Sequence, residues 1–290
     1  MTLPLSLRPR AAALAALVLL AGCDAATTDG GGLAPATFQT DTEDAARVVA
    51  GALALDRGGV LEDAAAAAAV AEAAAGGFPA RPGCSPVRTF DAAAVLYTLT
   101  TDCARTNTAT GVTATFARVA TVQFLAPGGQ PQPEPQGATA LAFDILSGTS
   151  AVVTPRRSHR LLSLTASFDV TGLGDSLVTV NGTSRRVAAD TLTTPRGGRR
   201  TLTTEIDLTL TDVRGPRGVR ADWHRAVSGT VSGTVHAVRT ATAPDGTTTT
   251  RDVTRTFTVT LGRGSDVAEI AINGRTFRAG RRTGDVADIE

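Results

Sequence analysis

Polar and apolar residues alternate along most of the chain after about residue 85, which is the pattern of strands with one buried face. It is clearest in residues 162–171, 202–210 and 253–261, where Leu, Ile, Val or Phe alternate with Thr, Ser, Asp or Glu. Successive side chains of a strand point to opposite faces of the sheet, so each stretch has one apolar and one polar face. Threonine dominates the polar face, and its branched Cβ favours extended backbone.

The same alternation predicts eight further strands. They are expected near residues 87–91, 95–103, 112–125, 140–146, 175–181, 184–193, 219–240 and 266–278. Three dipeptides are typical of tight hairpin turns: Asn181-Gly182, Asp245-Gly246 and Asn273-Gly274. Consecutive strands joined by such turns form an antiparallel meander.

The predicted fold is mainly β (α+β). Strands that alternate in this way are not typical of a parallel sheet, in which both faces are apolar. A sheet of about ten strands must curl, split into two layers or close. We therefore expect residues 78–290 to form a large curled antiparallel meander, as a half-barrel or a sandwich.

Two short helices are predicted before the sheet, within residues 41–77. Asp41 or Thr42 fits the cap of the first helix. The second helix is expected over residues 60–75 and is mostly alanine, which favours helix but buries little area. We expect this segment to pack on the sheet. The alternative is a mobile lid over a hydrophobic cavity.

The first 22 residues have the parts of an export signal. Arg8 and Arg10 precede an apolar run of ten residues, which is too short to span a bilayer as a helix. The run leads into Leu20-Ala21-Gly22-Cys23. This tetrapeptide resembles the lipobox of bacterial lipoproteins, in which the cysteine thiol is acylated and the signal is cut before it. No family is recognised for the rest of the chain.

The lipobox resemblance implies where the protein is held. Residues 1–22 would be a lipoprotein signal peptide and Cys23 the lipidation site. Two or three acyl chains on one residue anchor a protein stably to a membrane. Residues 23–40 are rich in Gly, Ala and Thr and predict a flexible tether. We expect an extracytoplasmic protein of the bacterial cell envelope, with the choice between inner and outer membrane left open.

Two cysteines remain after Cys23. Cys84 and Cys103 form an even pair, which in an exported protein favours a disulfide. Two free thiols are the alternative.

Charge is unevenly divided along the chain, although the net charge is only +1. Residues 23–76 hold nine acidic residues and two arginines, whereas residues 77–290 hold 24 arginines and 18 acidic residues; the chain has no lysine. We expect acidic helices to dock against a basic edge of the sheet. Nucleic acid is not an expected partner, because such proteins carry a clear basic excess.

Four arginine clusters fall at predicted loops or strand ends. They are Arg156, Arg157 and Arg160; Arg196, Arg199 and Arg200; Arg214, Arg217 and Arg220; and Arg275, Arg278, Arg281 and Arg282. Ordinary solvated charge is one interpretation. Contact with anionic lipid or polysaccharide is the other.

The sequence has few signs of catalytic chemistry. Its three histidines do not have metal-ligand spacing, and no nucleophile-elbow motif is present. No cofactor, metal or enzymatic activity is predicted. The weak candidate for ligand contact is the triplet Trp223, His224 and Arg225, which includes the one Trp of the chain. In the alternative interpretation, Trp223 covers the core and its N–H is hydrogen-bonded.

Three functions are compatible with these observations. The first is a non-enzymatic structural or binding module. The second is a lipid or lipoprotein carrier that binds acyl chains in the concave sheet, since helices over a curled sheet are similar in outline to the lipoprotein-localisation carriers of the Gram-negative envelope. The third is an envelope hydrolase. A carrier needs a large open apolar cavity, whereas a structural module fills that space with its own side chains.

Overall fold

A computed structural model describes residues 38–70, 84, 86–195, 197–217, 222–262 and 264–288. The predicted fold class is confirmed. The described chain is mainly β, with one large antiparallel sheet that does not close on itself and two short helices before it.

Thirteen strands make up the sheet in the described part of the chain. They are β1 Val87–Asp91, β2 Leu96–Asn107, β3 Val112–Leu125, β4 Pro131–Gln132, β5 Ala140–Val153, β6 Arg157–Thr171, β7 Leu177–Thr193, β8 Arg199–Pro216, β9 Ser228–Thr242, β10 Thr248–Leu261, β11 Val267–Ile272, β12 Arg275–Gly280 and β13 Val286–Asp288. Apart from β4, which pairs only with β3, each strand pairs with the next along the chain. The sheet is therefore the predicted meander.

Two of the three predicted hairpin turns are confirmed. Asn273-Gly274 joins β11 to β12, and Asp245-Gly246 lies between β9 and β10. In the second turn the Asp245 carboxylate accepts a hydrogen bond from the backbone N–H of Thr247 (2.9 Å). The backbone and side-chain hydrogen bonds from Thr247 lower the pKa of Asp245, as expected when donors favour the charged form.

The third hairpin prediction, Asn181-Gly182, is wrong. These residues lie inside β7, a single strand of 17 residues, at a bulge where its pairing with β8 shifts. Gly182 has φ 148°, and a Cβ there would lie 2.0 Å from the carbonyl oxygen of Ser167. The Asn181 side chain accepts a hydrogen bond from the backbone N–H of Asp212 on β8 (2.7 Å). The two residues thus permit a bend in a long strand.

The strand predicted over residues 219–240 is also wrong at its beginning. Residues 223–226 form a single helical turn, α3, and β9 begins only at Ser228. Trp223, the first residue of this turn, is buried beside the end of β8, where it contacts Gly215 and Pro216.

The helices are α1, Phe38–Leu53, and α2, Val60–Val70. Because α1 begins at Phe38, both Asp41 and Thr42 lie within the helix, and neither is the cap that was predicted. The predicted end of the second helix, residues 71–75, lies outside the described residues. Between the helices is a short turn in which a Cβ on Gly59 would lie 2.4 Å from the backbone of Leu53. None of the described helices has the length and apolar content that a membrane-spanning helix needs.

Both helices lie on one face of the sheet, which we call the inner face. α1 contacts β8 to β13, and α2 contacts β6 to β8. Nine of the eleven residues of α2 are buried, and its alanines allow close approach to the strands. The apolar side chains of the helices and of strands from β2 to β12 form one continuous core. The sheet curves around the helices, and bulges in the pairing of β3 with β5, β6 with β7, β7 with β8 and β8 with β9 increase its twist.

The sulfur atoms of Cys84 and Cys103 are 1.97 Å apart, the distance of a disulfide, and the two Cα atoms are 5.5 Å apart. The β1–β2 ladder ends at the pair Val87 and Thr100. Cys84 lies three residues before Val87, and Cys103 lies three residues after Thr100. The cysteine pair therefore joins the two chain segments beyond the last backbone pair of β1 with β2.

We expect reduction of this cysteine pair to lower the free energy of unfolding by about 3 kcal/mol, because a bond across 19 residues restricts the unfolded chain. Urea unfolding with and without dithiothreitol measures the difference. A Cys84→Ser/Cys103→Ser double variant is the control, since the reductant should not change its stability. Alkylation of both thiols in the native, non-reduced protein, detected by mass spectrometry, would contradict the disulfide.

Candidate functional site

The weak ligand-contact triplet does not form an open stacking site. The Trp223 side chain is 1% exposed and donates a hydrogen bond from Nε1 to the carbonyl of Pro216 (3.0 Å). Its ring packs on Gly215, where a Cβ would lie 2.6 Å from it. The Arg225 side chain is exposed beside Asp266 (3.4 Å). The His224 side chain lies outside what the structure describes. Trp223 is thus the core residue of the alternative interpretation.

The four arginine clusters are not uniform patches of solvated charge. Arg281 is buried, Arg275 pairs with Glu43 of α1 (3.6 Å), and Arg217 donates to the carbonyl of Leu173. Several of the others lie within strands and not in loops, namely Arg160, Arg199, Arg200, Arg214 and Arg278. Arg196 and Arg220 lie outside the described residues. At least three members of the clusters, Arg217, Arg275 and Arg281, therefore have partners within the fold.

Acidic residues of the helices pair with arginines that are spread across the inner face. Asp44 is 2.6 Å from Arg239 on β9, and Asp41 is 3.3 Å from Arg251 on β10. With Glu43 and its partner on β12, these pairs hold the first turns of α1 over three different strands. The expected docking of acidic helices on a basic sheet is thus present, but on the face of the sheet and not at its edge.

Asp63 of α2 is the most deeply buried of these acids. Its side chain is 0% exposed, and Oδ1 accepts a hydrogen bond from Nη1 of Arg118 on β3 (2.6 Å). Oδ2 lies 3.8 Å from Nη1 of Arg186 on β7. Arg186 also donates to the carbonyls of Ala52 and Gly58, at the end of α1 and in the turn after it. One carboxylate and two guanidinium groups thus tie the helix pair to strands on both sides of it.

The sequence does not predict this cluster. Asp63 follows Glu62 and stands directly before the alanine run of a helix whose other residues are apolar, and a charged residue in such a setting is buried only with a partner. That was the available signal. Its partners are 55 and 123 residues further along the chain, and only the fold brings them to it.

Arg281 is a second buried guanidinium. Its side chain is 1% exposed and donates to the carbonyls of Val227 (2.8 Å) and Gly262 (2.6 Å). Burial lowers the pKa of Arg281, and the charge of Asp266 acts in the opposite direction. The Arg281 carbonyl accepts a hydrogen bond from the N–H of Leu55. This residue therefore connects the end of the sheet to the turn between the helices.

The opposite face of the sheet, which we call the outer face, is lined with hydroxyl groups in register. One unbroken row crosses eleven strands, and nine of its members are Thr or Ser. From β1 to β12 the row is Thr89, Thr98, Thr121, Asp144, Ser167, Thr183, Thr209, Ser232, Thr258, Ala271 and Thr276. Shorter rows flank it, for example Thr211, Thr230 and Thr260. We call the long row the hydroxyl row.

A hollow of about 520 Å³ lies at the middle of the hydroxyl row. It is open to solvent and spans strands β6 to β9. Its outer-face lining consists of Thr165, Ser167, Thr183, Arg185, Asp207, Thr209 and Thr234. The Arg185 guanidinium contacts Glu205 and lies 3.9 Å from Asp207. The one cation of the hollow is thus already paired with acids, and the remaining polar groups of this lining are hydroxyls.

Two histidines form hydrogen bonds with aspartates. His236 on the outer face is 2.7 Å from Asp252, and His159 is 3.1 Å from Asp190. All four side chains are at least 29% exposed. Neither pair lines the hollow. Within the residues that the structure describes, no three His, Cys, Asp or Glu side chains are grouped so as to hold a metal ion.

We expect Asp63→Asn to lower the free energy of unfolding by about 3 kcal/mol, because it removes the buried carboxylate charge that two nearly buried guanidinium groups share. Asp44→Asn is the matched control. It removes a carboxylate that is 32% exposed, and solvent screening should keep the loss below about 1 kcal/mol. Chemical denaturation of both variants makes the comparison. Equal losses would show that the buried Asp63 carboxylate contributes no more to the free energy of unfolding than the exposed Asp44 carboxylate does.

Comparison of the chain with protein-family models, with curated proteins and with solved structures gives no match. No relative therefore supplies a ligand, a reaction or a set of site residues. The function has to follow from the residues of this chain and from how the fold arranges them.

Proposed function

We propose that this protein is a lipid-anchored protein of the bacterial cell envelope, and that its sheet is a non-enzymatic binding module that uses the outer face. One observation supports the proposal that the outer face of the sheet is the binding surface. The helices occupy the inner face from β6 to β13 and are held there by ion pairs, whereas the outer face presents rows of exposed hydroxyls around an open hollow.

The anchor rests on the sequence around Cys23. A basic start, an apolar run of ten residues and the lipobox-like tetrapeptide follow one another in the order of a lipoprotein signal. The cysteine pair supports an oxidising location, because disulfides persist in exported proteins and are rare in the cytosol. The Gly-rich composition of the segment after Cys23 is that of a tether, and the segment lies outside the described residues.

The carrier alternative requires the helices to leave the inner face. The apolar side chains of that face, such as Leu208 and Phe168, are at most 2% exposed with the helices in place. Moving α2 away would expose this apolar surface and separate Asp63 from Arg118. Both effects oppose opening, so the filled inner face favours the binding module.

The hydrolase alternative has less support. A hydrolase needs its acid, base or nucleophile in a cleft that excludes water. The two His–Asp pairs lie on exposed strand surfaces outside the hollow. We therefore propose a binding function without catalysis.

We expect Cys23→Ala to abolish incorporation of labelled fatty acid, because the thiol is the acylated group. The variant should accumulate uncleaved or leave the membrane fraction. The Cys84→Ser/Cys103→Ser variant is the matched control and should be labelled normally. A membrane pellet and lipid label that are unchanged in the Cys23 variant would refute the anchor.

We expect residues 24–290, exported without lipid to an oxidising periplasm, to show the mass of the bare polypeptide in native mass spectrometry. The reason is that α1 and α2 already fill the inner face. A co-purifying adduct with the mass of a phospholipid or fatty acid would contradict this expectation and favour the carrier.

A further inference from the structure

We infer that the hollow on the outer face is a binding site for an uncharged 1,4-linked polysaccharide, which lies along the hydroxyl row and across the strands. This inference rests on the proposed binding function and adds its ligand class and its site. It is argued from the spacing of the row, from its charge and from the chemistry of the lining.

The spacing of the row matches a chain of sugar rings. Adjacent strands of a sheet lie about 4.8 Å apart, so the row offers one side chain at that interval. This interval is close to the length of one pyranose unit in a 1,4-linked chain. Ser167, Thr183 and Thr209 are successive members of the row within the hollow. A polysaccharide running across β6, β7 and β8 would therefore meet a new hydroxyl at each ring.

The charge of the hollow favours an uncharged ligand. Arg185 is engaged by Glu205 and Asp207, so it does not offer an unopposed positive charge to a phosphate or carboxylate. The exposed neighbours of the hollow on β9 and β10, His236 and Asp252, are hydrogen-bonded to each other. An anionic polymer would be repelled by three carboxylates here, those of Glu205, Asp207 and Asp252. A neutral polymer would not be repelled.

The lining favours hydroxyl groups over apolar surface. Leu208 and Ala166 also border the hollow, but they are only 2% and 8% exposed, and the buried residues of their strands face the helices. A lipid or an apolar protein segment needs accessible apolar area, and the side chains that rise around the hollow offer little of it. Threonine and serine hydroxyls both donate and accept hydrogen bonds, as sugar hydroxyls do. The two surfaces are therefore complementary.

The test uses the full chain, purified in detergent, and isothermal titration with oligosaccharides. The probes are cellohexaose, chitohexaose and maltohexaose, all uncharged and 1,4-linked, with cellobiose as a short probe and hexagalacturonate as an anionic one. We expect at least one neutral hexamer to bind, more tightly than a dimer of the same kind and equally well at low and high salt. The length dependence follows from the row, and the lack of salt dependence from the uncharged ligand.

A triple variant tests the location of the site. Thr183→Val/Thr209→Val/Thr234→Val removes three hydroxyls of the hollow but keeps branched side chains that suit a strand. We expect it to weaken binding at least about tenfold, because three hydrogen bonds are lost together. The control is Thr171→Val/Thr203→Val/Thr260→Val, at exposed positions of β6, β8 and β10 outside the hollow. It should bind within about twofold of the native chain.

Several results would overturn the inference. They are no binding of any neutral hexamer, preferential binding of hexagalacturonate that salt abolishes, and equal binding by the two triple variants. Circular dichroism and unfolding midpoints of both variants ensure that a loss of binding is not a loss of fold. The anchor is measured separately by lipid labelling of the Cys23→Ala variant, so failure of the glycan site leaves that result unaffected.

Discussion

The contact between Asp63 and its two arginines is the constraint on which the rest of the architecture depends. A thirteen-stranded sheet with one apolar face must cover that face, and here a pair of short helices covers it from β6 to β13. Helices rich in alanine have few large side chains to fix their position on the strands. Buried ion pairs are poor sources of net stability, but they are intolerant of displacement, because a guanidinium or carboxylate that loses its partner stays buried without compensation. Arg118, Arg186 and Asp63 therefore define where α2 lies, and the Arg186 bonds to backbone carbonyls fix the end of α1 with it.

In this arrangement the two faces of the sheet have different roles. The inner face is apolar, contains the arginines that pair with the helices, and is occupied. The outer face is polar, and its threonines suit exposed strands whether or not they bind anything. What distinguishes a binding surface from an ordinary polar one is the register, which aligns hydroxyls from nine of the eleven strands in the row, and the hollow at the centre of that alignment. The proposed function and the proposed ligand both follow from this division.

The alternation of polar and apolar residues predicted the strands well. It shows which side chains of a strand are buried, and it can be read from the local sequence alone. It failed where the deciding contact is distant. Asn181-Gly182 has the composition of a hairpin turn, yet β7 continues through it, because the neighbouring strands β6 and β8 are long enough to pair on both sides of the bulge. The candidate site could not be predicted from the sequence for the same reason. Ser167, Thr183 and Thr209 form a row only once two registers are set, that of β6 with β7 and that of β7 with β8, and nothing in their local sequence marks them.

The order of elements along the chain has a consequence for how the protein folds. Nearly every strand pairs with its immediate neighbour in sequence, so the sheet can extend one hairpin at a time with short loop closures. The helices cannot join it in that way. They come first in the chain, but Glu43 finds Arg275 only on β12. During synthesis from the N-terminus, α2 can dock once β6 to β8 are made, but the strands beneath α1 hold an uncovered apolar face until β12 is made. Docking of α1 is then the closing step of folding, although α1 is the first element of the described chain to be synthesised.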